Sequence, residues 1–394
     1  LVRDRFGVKP LYYFIDTDQI IFSSEIKAIN TICGQQEINE KALPEWSYYG
    51  NTLKASTFHQ GVKQLLPGSF IEIDTNTLDY IKQDFWTPKN ISRNSNIVKE
   101  DSKSIIKKVG NLLEEAVRSQ LVSDVPVGIF LSGGLDSSSI TALAARNYEK
   151  KIDTFSVGFD FELGDGELPK AALVANRFNT NHHEIRISGY DIADITEKMV
   201  YHHDGPFSDA ANIPLYLLGE KVKSKVKVVL QGDGGDEIFA GYRRYKTLAA
   251  RPLWKPFVKS FSMFHNAFFN HNEKFYARQR YLNALKRFDE AELMALMLTV
   301  EDEENTPMKI FSCDLLERVS NIDPFESYRD CNNKFLEEEL VQRMLYTDTQ
   351  LILPSIFLEK VDRSTMAAGL EVRVPFLDNS LTSYVMALPS KEKI

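Results

Sequence analysis

Residues 131–138, Leu131-Ser132-Gly133-Gly134-Leu135-Asp136-Ser137-Ser138, lie between the apolar run VGIFL (127–131) and the helix-forming ITALAARN (140–147). Strand, Gly-rich turn and helix in that order place the turn at a helix N-terminus. Gly133 and Gly134 let the backbone turn tightly and bring successive N–H groups together. Those amides, with the Ser132, Ser137 and Ser138 hydroxyls, suit phosphate oxygens, and the helix dipole behind them favours negative charge. A carboxylate beside a phosphate is repelled unless a cation lies between, so Asp136 reads as a Mg²⁺ ligand. The pattern is neither GxxxxGK[ST] nor GxGxxG. The plainer reading is a Ser-capped helix after a glycine turn, with Asp136 merely favourable in the first turn. The preceding apolar strand and the full SGGLDSS run favour the phosphate loop.

Working outward, TFSVGF (154–159) and KVVLQG (227–232) are further apolar runs of buried-strand type. Before the loop, Ile105, Ile106, Val109, Leu112, Leu113, Ala116 and Val117 recur with helical period. Strands alternating with helices predict an α/β fold on a parallel sheet. After about Arg243 the chain reads as mostly helical. The first ninety residues read differently: LYYFI (11–15), IIFSS (20–24) and GSFIEID (68–74) are strand signals, the last after the turn-forming Pro67-Gly68. The polar stretch Thr87–Ser102 is the best linker. The expected organisation is a β-rich segment at 1–90, a linker at 91–102 and an α/β domain at 103–394.

Composition excludes several classes. The 394 residues carry a net charge of −8, which argues against a nucleic-acid surface. No apolar run approaches the roughly 20 residues of a membrane helix. Cys33, Cys313 and Cys331 form no CxxC pair, so neither a disulfide framework nor a zinc knuckle is indicated. Sparse, unpaired cysteines suit a reducing cytoplasm. The chain opens on LVRDRFGVKP, without an initiator Met, and is expected to begin inside a longer protein. His182-His183 and His202-His203 are adjacent pairs whose members point to different faces, so neither is expected to chelate a metal.

Three further segments narrow the reading. LQGDGGDE (230–237) is a Gly-rich acidic loop after a strand, with IFAGYRRY behind it. KVDRS (360–364) continues as TMAAGLEVRVPFLD to Asp378. DGPFSD (204–209) precedes AANIPLY. The 131–138 loop resembles the PP-loop of ATP-pyrophosphatases, and the four segments together resemble the glutamine-dependent asparagine synthetases. RDRFGVKPLYY and FSSEIKAI resemble the closing part of that family's β-rich, Ntn-type glutaminase domain. The resemblance implies ATP and Mg²⁺ as cofactors. It assigns Leu131, Ser132, Gly133, Gly134, Asp136, Ser137, Ser138, Val157, Gln231 and Gly232 to ATP, with Val157 meeting adenine through its backbone. It gives Mg²⁺ to Asp136 and Asp236, and makes Asp233 the catalytic carboxylate near the acyl-adenylate. Glu237, Asp362 and Arg363 become substrate or structural residues, and Glu371 and Arg373 match polar positions. Two positions depart from the pattern: Asp233 stands where Glu is usual, and Gly205 replaces a Glu.

The reaction so implied is adenylation of the aspartate side chain, then amidation by glutamine-derived ammonia. Aspartate and glutamine or ammonia are the partners, nucleic acid and membrane are not, and a homodimer is allowed. None of the three cysteines can supply the family's N-terminal glutaminase nucleophile, so this chain alone is expected to be inactive with glutamine. A charge-stabilising lysine of the family belongs beyond Ile394, and Lys360 is the nearest stand-in. Two other readings stay open: an adenylating amidotransferase acting on another carboxylate (a cell-surface sugar or peptide, or a β-lactam precursor), and a nucleotide-binding relic.

Overall fold

A computed structural model describes residues 1–91, 100–160, 166–188, 195–257, 282, 285–286, 289–299 and 307–394. Of the linker expected at 91–102, positions 92–99 lie outside the described residues. The chain packs as two compact units. One comprises Leu1–Lys89, Ala240–Ile356 and Ile394; the other comprises Asn90–Phe239 and Phe357–Lys393.

The second unit is built on the five-stranded parallel sheet that the alternation predicts. Its strands are β6 (Val127–Phe130), β7 (Asp153–Phe159), β8 (Asn181–Ile187), β9 (Val228–Leu230) and β10 (Glu371–Arg373), in the order β10-β9-β6-β7-β8. All four neighbouring pairs are parallel, with Ile129 opposite both Thr154 and Leu230. Every residue of β6 and β9 is buried, because a parallel sheet carries helices on both faces and cannot alternate apolar with polar. From β6 the chain runs outward to β7 and β8, then returns to β9 on the other side of β6. That reversal makes the carboxyl ends of β6 and β9 a topological switch point, where open α/β sheets bind ligands.

Helix Ser102–Gln120 precedes β6 and is capped by Asp101, whose carboxylate accepts from Lys103 N at 2.9 Å and Ser104 N at 3.1 Å. Ile105, Leu113, Ala116 and Val117 face the core as the period predicts, whereas Ile106 is exposed. One residue on from Ile105 is about 100° around the helix, off the buried stripe. At the far end Arg373 of β10 donates to the Gln120 and Val122 carbonyls at 2.8 and 2.7 Å, satisfying acceptors that a helix terminus leaves open.

The other unit begins with the antiparallel sheet β2-β1-β3, formed by β1 (Tyr12–Ile15), β2 (Ile20–Ser23) and β3 (Lys63–Gln64), and the pair β4 (Ser69–Ile73) with β5 (Tyr80–Asp84). The RDRFGVKP segment is fixed from within. Buried Arg3 donates to the carbonyls of Gly7, Lys9 and Leu65, and Asp4 accepts from the amides of Phe6, Val8 and Lys9. Two helices, Ile26–Cys33 and Leu43–Tyr49, stand among these strands and were not expected from the strand signals. In the helical stretch after Arg243, Asp348 is fully buried and accepts from Tyr245 Oη at 2.7 Å, Tyr328 Oη at 3.0 Å and Arg244 at 3.1 Å. A π-helix, Asp348–Phe357, starts at that aspartate.

Candidate active site

The 131–138 loop leaves β6 at the switch point and enters helix Leu135–Asn147. Gly133 adopts φ +78°, and a Cβ there would lie 2.6 Å from Lys170 Cβ, so only glycine fits this turn. The hydroxyls knit the loop: Ser132 Oγ lies 3.0 Å from Ser137 Oγ and accepts from Gly134 N at 3.2 Å. Ser138 N donates to the Gly134 carbonyl at 3.0 Å. Gly134 holds the N-cap position, and no side chain caps the helix. Leu131 is buried against Ala171 and Ala175 and anchors the loop to the neighbouring helix Leu168–Arg177.

The 230–237 loop leaves the adjacent strand β9 and meets the first loop at Asp136. A Cβ on Gly232 would lie 2.9 Å from Asp136 Cβ and 3.2 Å from Ser137 N. One on Gly235 would lie 2.7 Å from Asp136 Oδ2. Gly232 and Gly235 are therefore the condition for the two loops to touch. Gly234, at φ +90°, turns the chain against Leu377 of the PFLD segment. Gln231 N donates to the Arg373 carbonyl at 3.0 Å, while its side-chain Oε1 is buried without a hydrogen-bond partner among the described residues.

Three carboxylates converge here. Burial, with Asp236 and Asp233 facing it, pushes the Asp136 carboxyl up to about 6. Burial also raises Asp233, with Asp209 and Asp236 adding to the rise and the Lys360 charge opposing it. Like charges so gathered are relieved by a cation. Among the described residues no group of three or more His, Cys, Asp or Glu has metal-holding geometry. A donor set of two carboxylates on facing loops nonetheless fits Mg²⁺, which takes one or two protein carboxylates and completes its shell with phosphate oxygens and water.

The remaining candidates fall around this centre. Val157 is half-buried on β7, opposite Ile185 of β8. Glu237 is buried in helix Gly235–Phe239. Asp362 and Arg363 are buried in helix Leu358–Met366. The Arg363 guanidinium lies 2.9 Å from buried Glu359 and 3.1 Å from the carboxylate of Asp204, so it braces the 204–209 segment against its own helix. The histidines make polar contacts near a strand start: His182 Nδ1 with Thr154 Oγ1 at 3.0 Å and His183 Nε2 with Asp153 at 2.8 Å. Sequence reasoning gave no role to Gly235, although the GDGGD run carries the signal. It quoted Asp209 only as the end of DGPFSD and gave it no role, whereas the structure sets it 3.7 Å from Lys360 Nζ.

Residues 108–394 match the family model described as asparagine synthase, and residues 1–86 match that of a glutamine amidotransferase domain. The chain is 31% identical over 401 residues to asparagine synthetase [glutamine-hydrolyzing] 1 of Bacillus subtilis, covering 99% of this chain and 60% of that protein. It is 30% identical over 405 residues to a putative asparagine synthetase [glutamine-hydrolyzing] of Mycobacterium bovis, covering 100% of this chain and 59% of that one. A shorter match, 30% over 261 residues, covers 62% of this chain and 38% of an amidase of Penicillium rubens. The chain thus spans about 60% of the length of the first two relatives.

Proposed function

Because the chain belongs to the asparagine synthase family, we propose that the whole protein uses ATP to adenylate the aspartate side chain and converts it to asparagine with glutamine-derived ammonia. The observation that carries this reading is the meeting of two Gly-rich loops at Asp136, at the carboxyl ends of the adjacent strands β6 and β9. The amides and hydroxyls of residues 131–138 hold the phosphates, Gln231 and Gly232 border the nucleotide, and the Val157 backbone meets adenine. Asp136 and Asp236 would hold Mg²⁺, which when bound neutralises phosphate charge. A carboxylate oxygen of aspartate attacks the α-phosphorus; the bond from that phosphorus to the oxygen bridging to the β-phosphorus breaks, and pyrophosphate leaves. Ammonia attacks the acyl carbon, the bond to the AMP oxygen breaks, and the nitrogen sheds a proton. Asp233 stands beside the acyl-adenylate, and Glu237, Asp362 and Arg363 support the site from within. Catalysis on this reading is positioning plus charge neutralisation. Residues 1–90 are then the closing part of the glutaminase domain, joined through 91–102 to the synthetase domain.

The test has two parts. Calorimetry should find ATP binding that depends on Mg²⁺ and weakens by roughly tenfold or more, about 1.4 kcal/mol, in Asp136→Asn. Equal affinity with and without Mg²⁺ removes the metal-holding role of Asp136 and Asp236. The full-length protein given aspartate, ATP and ammonium should yield asparagine, AMP and pyrophosphate in equal amounts. Pyrophosphate release with some other carboxylic acid but never with aspartate overturns the asparagine assignment.

A further inference from the structure

The protein carries a net charge of −8, yet a cavity among its N-terminal strands holds two lysines and, among the described residues, no carboxylate. The cavity measures about 490 Å³. Tyr13 of β1, Lys63 of β3, and Tyr80 and Lys82 of β5 line it, with residues of the 55–62 loop. Lys63 stands opposite Tyr13 in the β1–β3 pairing, so the two side chains share a face of the sheet. Tyr80 and Lys82 are two residues apart on β5 and share a face in the same way. Lys82 Nζ joins the two pairs: it lies 3.5 Å from Tyr13 Oη and 5.8 Å from the centroid of the Tyr13 ring. Tyr13 is buried with Leu65 and Ile71, which fixes this side of the cavity. The loop is held from within. Asn39 Nδ2 donates to the Thr57 carbonyl at 2.9 Å, and Thr57 Oγ1 donates to the Val62 carbonyl at 2.8 Å.

These groups have donors to spare. The Lys63 ammonium makes no ion pair or hydrogen bond with any described residue. The contact with Lys82 uses Tyr13 Oη as acceptor and leaves its O–H unspent. Burial raises the Tyr13 phenol, with Tyr80 adding to the rise, so that proton stays in place at neutral pH. Burial lowers the Lys82 ammonium; Asp84 opposes the fall and the Lys63 charge adds to it. An anion between the two lysines relieves both burial and repulsion.

Two ammoniums match an oxyanion with two negative charges, and a phosphoryl group near neutral pH is such an anion. The cavity falls within the roughly 300–1,000 Å³ of small-molecule sites and leaves room beyond a phosphate. Tyr80, 50% exposed, offers its ring to whatever the phosphate carries. We infer that this cavity binds a small phosphate monoester, with its phosphoryl group on Lys63, Lys82 and the Tyr13 O–H and its substituent against Tyr80. The site lies in the unit that does not contain the switch point. Its ligand is therefore additional to the nucleotide of the proposed reaction, and the inference does not depend on that reaction.

The test uses the full-length protein in phosphate-free buffer and three probes: phenyl phosphate, benzenesulfonate, which keeps the ring but carries one charge, and inorganic phosphate. Lysines are reductively methylated with formaldehyde and a borane, and each site is followed by peptide mass spectrometry. Saturating phenyl phosphate should slow modification of Lys63 and Lys82 several-fold and leave exposed Lys150 unchanged. Calorimetry should rank phenyl phosphate above inorganic phosphate, and both above benzenesulfonate. Lys63→Gln and Lys82→Gln should each raise the Kd for phenyl phosphate roughly tenfold, as expected for a lost charge-assisted hydrogen bond. Lys82→Arg should restore most of the loss. Both lysines are exposed residues, so these variants leave the core intact. Four results overturn the site: no protection of Lys63 and Lys82, equal protection of Lys150, benzenesulfonate bound as tightly as phenyl phosphate, or a Kd unmoved by either glutamine variant. Inorganic phosphate bound more tightly than phenyl phosphate overturns the monoester.

Discussion

Glu45 is a carboxyl in the wrong medium. It is buried, accepts from Leu53 N at 2.6 Å, and is pushed by that burial from 4.5 up to about 7. The native state therefore holds its proton to higher pH than the unfolded chain does. Its contribution to stability is full below about 4.5 and is lost as pH rises toward 7. At ~1.4 kcal/mol per unit the loss reaches at most about 3 kcal/mol. Glu45→Gln keeps the acceptor and removes the charge. In urea denaturation it should stabilise the protein at pH 8 by a few kcal/mol and change little at pH 5; the same difference at both pH values refutes the assignment. Glu45 shows what a sequence cannot display, since nothing in LPEWSYY distinguishes a buried glutamate from a solvated one. The Gly-rich turn that carries Asp136 was legible because the glycines, serines and apolar strand that form it lie within eight residues. Asp209 was not, because Lys360 is 151 positions away and only the fold joins them.

At the scale of elements, the loop after β9 depends on a single conformational choice. Gly234 holds φ +90°, and a Cβ there would come within 2.4 Å of Leu377 Cδ2 in the 3-10 turn Pro375–Leu377. Gly234→Ala meets a backbone penalty of about 1–2 kcal/mol and an overpacking penalty of about 1–3 kcal/mol. Chemical denaturation should register about 2–5 kcal/mol from the two together. Leu377→Ala made in the same chain should relieve the second penalty and not the first, so the pair is non-additive; strict additivity, or no loss in Gly234→Ala, defeats the argument. The same scale sorts what the sequence displays. β6, β7 and β9 were legible as long apolar runs because both faces of a parallel strand are covered. Helix Ser102–Gln120 was legible from its period, whereas its aspartate cap is seen only in the structure. β10 was not called a strand: it is three residues, EVR, with only Val372 buried, and its pairing is supplied by β9. Helices Ile26–Cys33 and Leu43–Tyr49 were hidden for a related reason. They run eight and seven residues, too short to complete a periodic pattern, and the first is rich in isoleucine, which is equally at home in strands.

Over the whole molecule, each compact unit is assembled from segments far apart in the chain. Residues 240–356 pack with 1–89, and 357–393 return to the sheet formed by 127–230. Each unit has a buried device of its own. One has fully buried Asp348, which gathers half-buried Arg244 and the buried Tyr245 and Tyr328. The other has the carboxylate-lined switch point proposed to bind ATP with Mg²⁺. Removing the Asp348 carboxylate leaves a buried guanidinium uncompensated and two phenols without their acceptor. Breaking a buried pair from one side costs about 3–5 kcal/mol, and Asp348→Ala should bear that cost in the unit that holds it. Ligand stabilisation belongs to the other unit, because a ligand stabilises the structure it binds by about 2.7 kcal/mol at a hundred times its Kd. Scanning calorimetry should therefore resolve two transitions. Asp348→Ala should lower one of them, and ATP with Mg²⁺ should raise the other, in the variant as in the wild type. A single transition moved by both would mean that the units unfold together. If ATP with Mg²⁺ instead raised the very transition that Asp348→Ala lowers, the nucleotide would have to bind outside the sheet unit, and the switch-point assignment would fall with it.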